Sequence, residues 1–409
     1  MVLLLPPRIP PPDKDFLTDI IPGNTITIDL FEPASKKGST TLRIRKVVHA
    51  YKNLFKRPSE ESFGESGDCN KNIKCYPNWD KQSDAVAMVL LSNGDELCSG
   101  ALLNNTAQNF RPFFLSAFHC IDYESPHDEL SDSEIRDAEN WMFKFQYKVT
   151  DCNGNTVRTS YTYKKANFRA AWYNTDFALM ELKNSPLEND EITWLGWDRR
   201  GYVPSDVTCI HHPAGDVMKI SIDNESPAIT SITNTTGSHW HIDDWKVGTT
   251  QGGSSGSPLL DNNQRVIGQD HAGDCIYCDP CDDIKGTYFG RFSRSWTGGG
   301  TPTTQLKHWL DPCGTNANTT NTVRSPYISG STPLCTSTKT YTLHNLPSGS
   351  SVTWSATPSH LFTNTSGTGT SFSTAWDGSG SGSGTITATL SGDCGSVDVE
   401  KEVWLGPPL

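Results

Sequence analysis

Apolar residues in this chain come in short runs closed by turn formers, and no long stretch keeps the three-to-four-residue spacing of a helix. Residues 85–91, the turn Ser92-Asn93-Gly94-Asp95 and residues 97–103 read as a β-hairpin, and a second such turn is centred on Cys152-Asn153-Gly154-Asn155. One short helix, residues 304–310, stops at Asp311-Pro312, because the residue ahead of a proline is pushed out of helical geometry. With 34 Gly, 25 Pro and 12 Trp among 409 residues, a mostly β chain built as an antiparallel barrel or sandwich is expected, in two or three domains. No run nears the ~18 apolar residues of a bilayer span, so no membrane span is expected.

Formal charge is −12 with no basic run, which excludes nucleic acid as a partner. Twelve cysteines in a turn-rich chain indicate disulfides and export, since the cytosol keeps thiols reduced. The start Met1-Val2-Leu3-Leu4-Leu5-Pro6-Pro7 is not a signal peptide, so the chain reads as a fragment whose true N-terminus is absent.

Residues 1–65 hold no cysteine, alternate like strands at 25–30 and 42–48 and run into a polar stretch, as the remnant of a pro-region with a cleavable linker would. Residues 66–315 carry dense cysteines and short strands. Beyond the linker-like residues 314–320, residues 325–409 alternate at 339–343, 351–356, 384–390 and 396–404, as a small β-sandwich does. Residues 378–384 are low in complexity and read as a mobile loop. Cys335 and Cys394, the only cysteines in that segment, are expected to pair.

Chemistry concentrates in three segments. Gly252-Gly253-Ser254-Ser255-Gly256-Ser257-Pro258 lets the backbone turn sharply, so that the N–H groups of Gly253 and Ser255 converge as an oxyanion hole beside the Ser255 hydroxyl. A serine needs a base, and His119 follows the apolar run Phe113-Phe114-Leu115-Ser116-Ala117-Phe118 and precedes Cys120, which can fix its loop. Asp176 stands at the mouth of the strand Phe177-Ala178-Leu179-Met180-Glu181-Leu182, where a buried carboxylate requires a partner such as imidazolium. The order His119, Asp176, Ser255 is that of chymotrypsin-type proteases.

From about Ser66 to Pro312 the chain resembles the bacterial lysyl endopeptidases of that superfamily. The resemblance is carried by Ser66-Gly67-Asp68-Cys69, Cys98-Ser99-Gly100-Ala101-Leu102-Leu103-Asn104-Asn105-Thr106, Phe114 to Cys120, Gly196-Trp197-Asp198-Arg199-Arg200, Ile210-His211-His212-Pro213, Gly253 to Pro258 and Ser295-Trp296-Thr297-Gly298-Gly299-Gly300. It implies two chymotrypsin-like antiparallel barrels and a secreted serine endopeptidase precursor with no cofactor, in which His119 is the base, Asp176 its orienter and Ser255 the nucleophile. It also implies disulfides Cys98–Cys120, Cys75–Cys152, and Cys69 with Cys275 or Cys278. The substrates would be proteins or peptides, and a monomer, secreted or at a bacterial cell surface, is expected. The C-terminal segment resembles PKD-like, immunoglobulin-like modules through Tyr341-Thr342-Leu343, Leu346-Pro347, Val352-Thr353-Trp354-Ser355 and Thr385-Ile386-Thr387-Ala388-Thr389-Leu390; such a module could contact a cell surface or carbohydrate, bind a ligand or serve as a spacer.

The sequence departs from the family where specificity is set. Thr287 stands where lysyl endopeptidases carry an acidic pocket residue, three before Gly290-Arg291, and Thr249 stands six before the nucleophile, where trypsins carry aspartate. Asp282 or Asp283 would have to fold inward to supply a carboxylate. Ser254 stands where trypsin-like zymogens carry the aspartate that pairs with a new N-terminus. His271 matches the strand lining the cleft and is expected to touch substrate. With Cys275, Cys278 and Cys281 it also spells His-x3-Cys-x2-Cys-x2-Cys, a zinc pattern, although disulfides are the expected use of these cysteines and no metal is expected. A surface adhesin using the fold only to bind is the competing reading.

Overall fold

A computed structural model describes residues 2–4, 17–18, 25–39, 41–44, 47, 66–92, 97–154, 156–187, 189, 191–274, 281, 286–392 and 394–407. The described chain is mostly β, and two curled antiparallel sheets form its main body.

The first sheet has seven strands in the order Tyr161–Lys164, Met142–Phe145, Val86–Leu90, Leu97–Leu103, Phe113–Ala117, Phe177–Leu182 and Ala166–Trp172. The expected hairpin is present, with Val86 opposite Ala101 and Leu90 opposite Leu97, although residues 93–96 lie outside the described residues. Successive side chains of a strand point to opposite faces. Phe114 thus enters one cluster with Phe143 and Trp141, while Phe113 and Leu115 enter another. Both faces are buried, so Phe113–Ala117 reads as an apolar run broken only by Ser116, whose hydroxyl bonds the Ser99 carbonyl, rather than as an alternating one.

The second sheet has eight strands: Ala228–Thr230, His239–Ile242, Thr287–Arg291, Val266–Gly273, Pro258–Asp261, Val207–His211, Lys219–Asp223 and Lys71–Asn72. Ile210, Met218, Ile220, Leu260 and Val266 pack against Phe113, Leu115, Phe177 and Leu179 of the first, so one shared core fixes the two sheets against each other.

The short helix is Lys307–Leu310. A second helix, Asp132–Ala138, was not read from periodicity because seven residues span only two turns. Its signal is the capping box in which Ser131 accepts from the Glu134 N–H and Glu134 accepts from the Ser131 N–H.

In the C-terminal part, a three-stranded and a five-stranded sheet enclose a core of Tyr341, Leu343, Phe372, Trp354, Ile386 and Val403. Strand Ser351–Thr357 alternates buried and exposed without exception. Residues 382–384 are not a loop: they open the strand Gly382–Gly392, with Gly384 opposite Val403. Glycine serves packing there, since a Cβ on Gly384 would come within 2.5 Å of the Leu405 side chain.

Disulfides join Cys98 to Cys120 and Cys75 to Cys152. Two expectations are corrected. Cys69 bonds Cys281, not Cys275 or Cys278, both of which lie outside the described residues. Cys394 bonds Cys313 rather than Cys335, because the end of the two-sheet body comes against the C-terminal sheets and brings the Cα atoms of residues 313 and 394 within 5.5 Å. Elimination within one segment missed a bond between segments. Cys335 and the buried Cys209 have no disulfide among the described residues.

Candidate active site

His119, Asp176 and Ser255 meet where the two sheets face each other. Strand Phe113–Ala117 ends in the single turn Phe118–Cys120, which the Cys98–Cys120 bond anchors, and His119 projects from it. Asp176 follows the turn Tyr173–Thr175 in left-handed backbone geometry (φ 56°). Its carbonyl accepts from the Phe118 N–H at 2.8 Å, and Gln269 Nε2 donates to the Thr175 carbonyl at 2.6 Å. Gly290 must be glycine for this turn to sit down, since a Cβ there would lie 1.8 Å from the Thr175 carbonyl oxygen.

The Asp176 carboxylate accepts the His119 backbone N–H at 3.0 Å through Oδ1 and lies 2.9 Å from His119 Nδ1 through Oδ2. Burial alone would raise its pKa, but the imidazoles of His119 and His271 and the His119 hydrogen bonds hold it below the ordinary aspartate value. His119 Nε2 lies 2.8 Å from Ser255 Oγ, completing an unbroken line from carboxylate to hydroxyl.

The serine loop belongs to the second sheet but is held by the first. Ser99 donates its N–H to the Ser255 carbonyl at 2.8 Å and its hydroxyl to the Gly253 carbonyl at 2.8 Å. Gly253 and Gly256 have φ of +93° and +83°. A Cβ on Gly256 would meet Ser116 Oγ at 2.4 Å and the Ser99 carbonyl at 2.5 Å, so the loop closes only around glycine. Among the described residues neither the Gly253 nor the Ser255 N–H has an acceptor, which leaves both donors open beside the Ser255 hydroxyl.

His271 sits behind the triad. Its ring stacks on His119 at 5.7 Å, its Nε2 lies 3.9 Å from Asp176 Oδ1, and its Nδ1 is 2.9 Å from His239 Nε2. Burial, then the neighbouring His271, pushes His239 down to about 3, and burial lowers His271 as well, so this pair stays neutral at neutral pH. His271 thus stands beside Asp176, a neighbour the substrate-cleft reading did not include. The nitrogen and oxygen donors of His119, Asp176 and His271 converge within 4.8 Å, but a metal there would have to displace the His119–Asp176 hydrogen bond. The zinc pattern loses a ligand, because Cys281 is bonded to Cys69.

Thr249 and Thr287 are both buried. The Thr249 N–H donates to Asn70 Oδ1 at 3.3 Å, while Thr287 Oγ1 accepts from Trp245 Nε1 at 3.0 Å and lies 2.9 Å from Thr250 Oγ1. Among the described residues no carboxylate bonds to either threonine; Asp282 and Asp283 lie outside them.

Reading by motif missed Asp270. It is buried, its Oδ1 has no partner among the described residues, and burial, opposed by His119 but aided by Asp176, pushes its pKa up to about 7. The folded carboxyl is protonated below about 7 and the unfolded one only below 3.8, so the native state binds more protons in that window. Native stability therefore declines as pH rises from about 4 to 7, by up to about 4 kcal/mol. Denaturant unfolding of Asp270→Asn should show a small gain at pH 5, where the decline has begun, and a clearly larger gain at pH 8; an equal effect at both pH values would contradict this origin.

The model of the family described as "Lysyl endopeptidase, C-terminal domain" matches residues 63–290. Lysyl endopeptidase of Pseudomonas aeruginosa is 28% identical over 305 residues, covering 69% of this chain and 62% of the relative. Secreted RxLR effector protein 73 of Plasmopara viticola is 25% identical over 289 residues, covering 64% and 65%. The chain thus spans under two thirds of the length of these relatives. Among solved structures, the Vibrio cholerae VesB protease aligns with 12% identity and a TM-score of 0.35 over 84% of this chain and 99% of that one. A Glu endopeptidase aligns with 16% identity and a TM-score of 0.33, over 56% and 93%.

Proposed function

Because this chain belongs to the lysyl endopeptidase family, we propose that it hydrolyses peptide bonds as a serine endopeptidase, through an acyl-enzyme on Ser255. The observation carrying this reading is the continuous line from Asp176 through His119 to Ser255, with separations of 2.9 and 2.8 Å. Ser255 Oγ attacks the scissile carbonyl carbon while its proton passes to His119 Nε2. The oxyanion forms against the N–H groups of Gly253 and Ser255, and Asp176 stabilises the imidazolium. His119 then protonates the leaving amine, and water, deprotonated by the same imidazole, releases the acid.

Protein or peptide substrates and an exported, bacterial location follow from the same reading, with disulfides as support. Residues 1–65 would be removed during maturation, and residues 325–409 would form a PKD-like module. Since Ser254 replaces the charged residue of a trypsin-like zymogen, that cleavage serves release of the N-terminal piece rather than formation of an ion pair. The adhesin reading has no observation in its favour. A peptidyl phosphonate should label the protein at Ser255 and stop hydrolysis in step; a labelled serine elsewhere, or none, would overturn the assignment.

A further inference from the structure

We propose that His211 is a positioning residue that holds the oxyanion loop in its working form through Ser254, an uncharged latch in place of an ion pair. This rests on the serine-peptidase reading above.

Ser254 lies between the two N–H groups that face the oxyanion and is fully buried, as are His211 and Ser221. His211 Nδ1 is 2.7 Å from Ser254 Oγ, and His211 Nε2 is 3.1 Å from Ser221 Oγ. The Gln251 N–H donates to Ser254 Oγ at 3.0 Å, and the Ser254 N–H donates to the Gln251 carbonyl at 2.8 Å, so the hydroxyl closes a turn of its own loop. With Gln251 donating in, the Ser254 hydroxyl proton goes to His211 Nδ1, and the Nε2 proton goes to Ser221. One neutral tautomer satisfies every partner. Burial disfavours a protonated imidazole here, and such a cation would also face His212 and Lys219. The latch therefore stays neutral across the pH range of catalysis.

The geometry around Ser254 fixes both donors. The Gly252 carbonyl accepts from the Ala214 N–H at 2.6 Å, and the Ser254 carbonyl accepts from the Ser257 N–H at 2.9 Å. In a planar trans peptide the N–H points opposite to the carbonyl, so the Gly253 and Ser255 N–H groups are turned the other way, toward the catalytic side. Ser254 is the pivot between these two peptides, and the His211 bond keeps it from rotating. The next residue holds the opposite side: the His212 N–H donates to Ser99 Oγ at 3.0 Å, and Ser99 bonds the carbonyls of Gly253 and Ser255. The adjacent pair His211-His212 thus grips the loop from side chain and backbone at once.

The test compares His211→Phe, which keeps bulk but not the bond, with His211→Asn, whose amide can replace Nδ1, and with Ser254→Ala. His211→Phe and Ser254→Ala should lower kcat about ten- to hundredfold, within the range of a weakened oxyanion donor, with KM changed less than twofold, and His211→Asn should recover most of the loss. Amide resonances of Gly253 and Ser255 should shift in His211→Phe and return in His211→Asn. That spectrum decides the matter even if phosphonate labelling of the unmodified protein shows that Ser255 is no nucleophile. Unchanged kcat and unmoved amides, or a loss explained wholly by a smaller titratable fraction of folded protein, would overturn the proposal.

Discussion

Ser255→Ala should lose several powers of ten in kcat, down to the rate that bound substrate and the two backbone donors sustain alone. His119→Ala should be about as damaging, and the double variant should be no worse than either, because proton removal and attack are one event shared by two groups 2.8 Å apart. Rates measured on proteins with native unfolding midpoints decide this. Multiplying losses in the double variant would show that the hydroxyl and imidazole do not act as one unit, and near-normal turnover of Ser255→Ala would remove the nucleophile from the scheme.

Matched peptides with Leu or Lys at P1 should show a higher kcat/KM for Leu. The family label points to lysine, whereas Thr249 and Thr287 occupy the two usual acidic places, and the Thr287 hydroxyl is already engaged with Trp245 and Thr250. An ammonium buried without a counter-charge costs several kcal/mol, while burial of a Leu-sized side chain gains ~1.5–3 kcal/mol. The difference is worth at least about a hundredfold in kcat/KM. A lysine preference abolished by Asp282→Asn or Asp283→Asn would place the counter-charge in that loop; one that survives both would refute the uncharged pocket.

The candidate triad was legible because each member carries a local signature: glycines around Ser255, an apolar strand ahead of His119, a strand mouth at Asp176. Such signatures are one-dimensional. The surroundings of these residues are not: Ser99 lies 156 positions before Ser255 yet bonds its carbonyl, and His271 comes beside Asp176 from the other sheet. Asp270 was invisible for a related reason, since nothing local tells a buried carboxyl from a solvated one. His211 stood within a matched motif, but its role depends on Ser254 and Ser221 being brought to it by strand pairing. Strands were readable where one face is wet, as in Ser351–Thr357, and glycine-rich residues 382–384 misled because the small side chain there answers to Leu405 and not to a turn.

The Cys313–Cys394 bond also sets a mechanical path. Tension entering through the final strand, Gly395–Leu405, meets the crosslink as soon as that strand is pulled from its neighbours, and passes directly to residue 313. The intervening 80 residues, with most of the sandwich, are then excluded from the line of force. A pull on the last strand is therefore borne at residue 313 once that strand has parted from its neighbours, and the remaining strands of the sandwich are not loaded in turn.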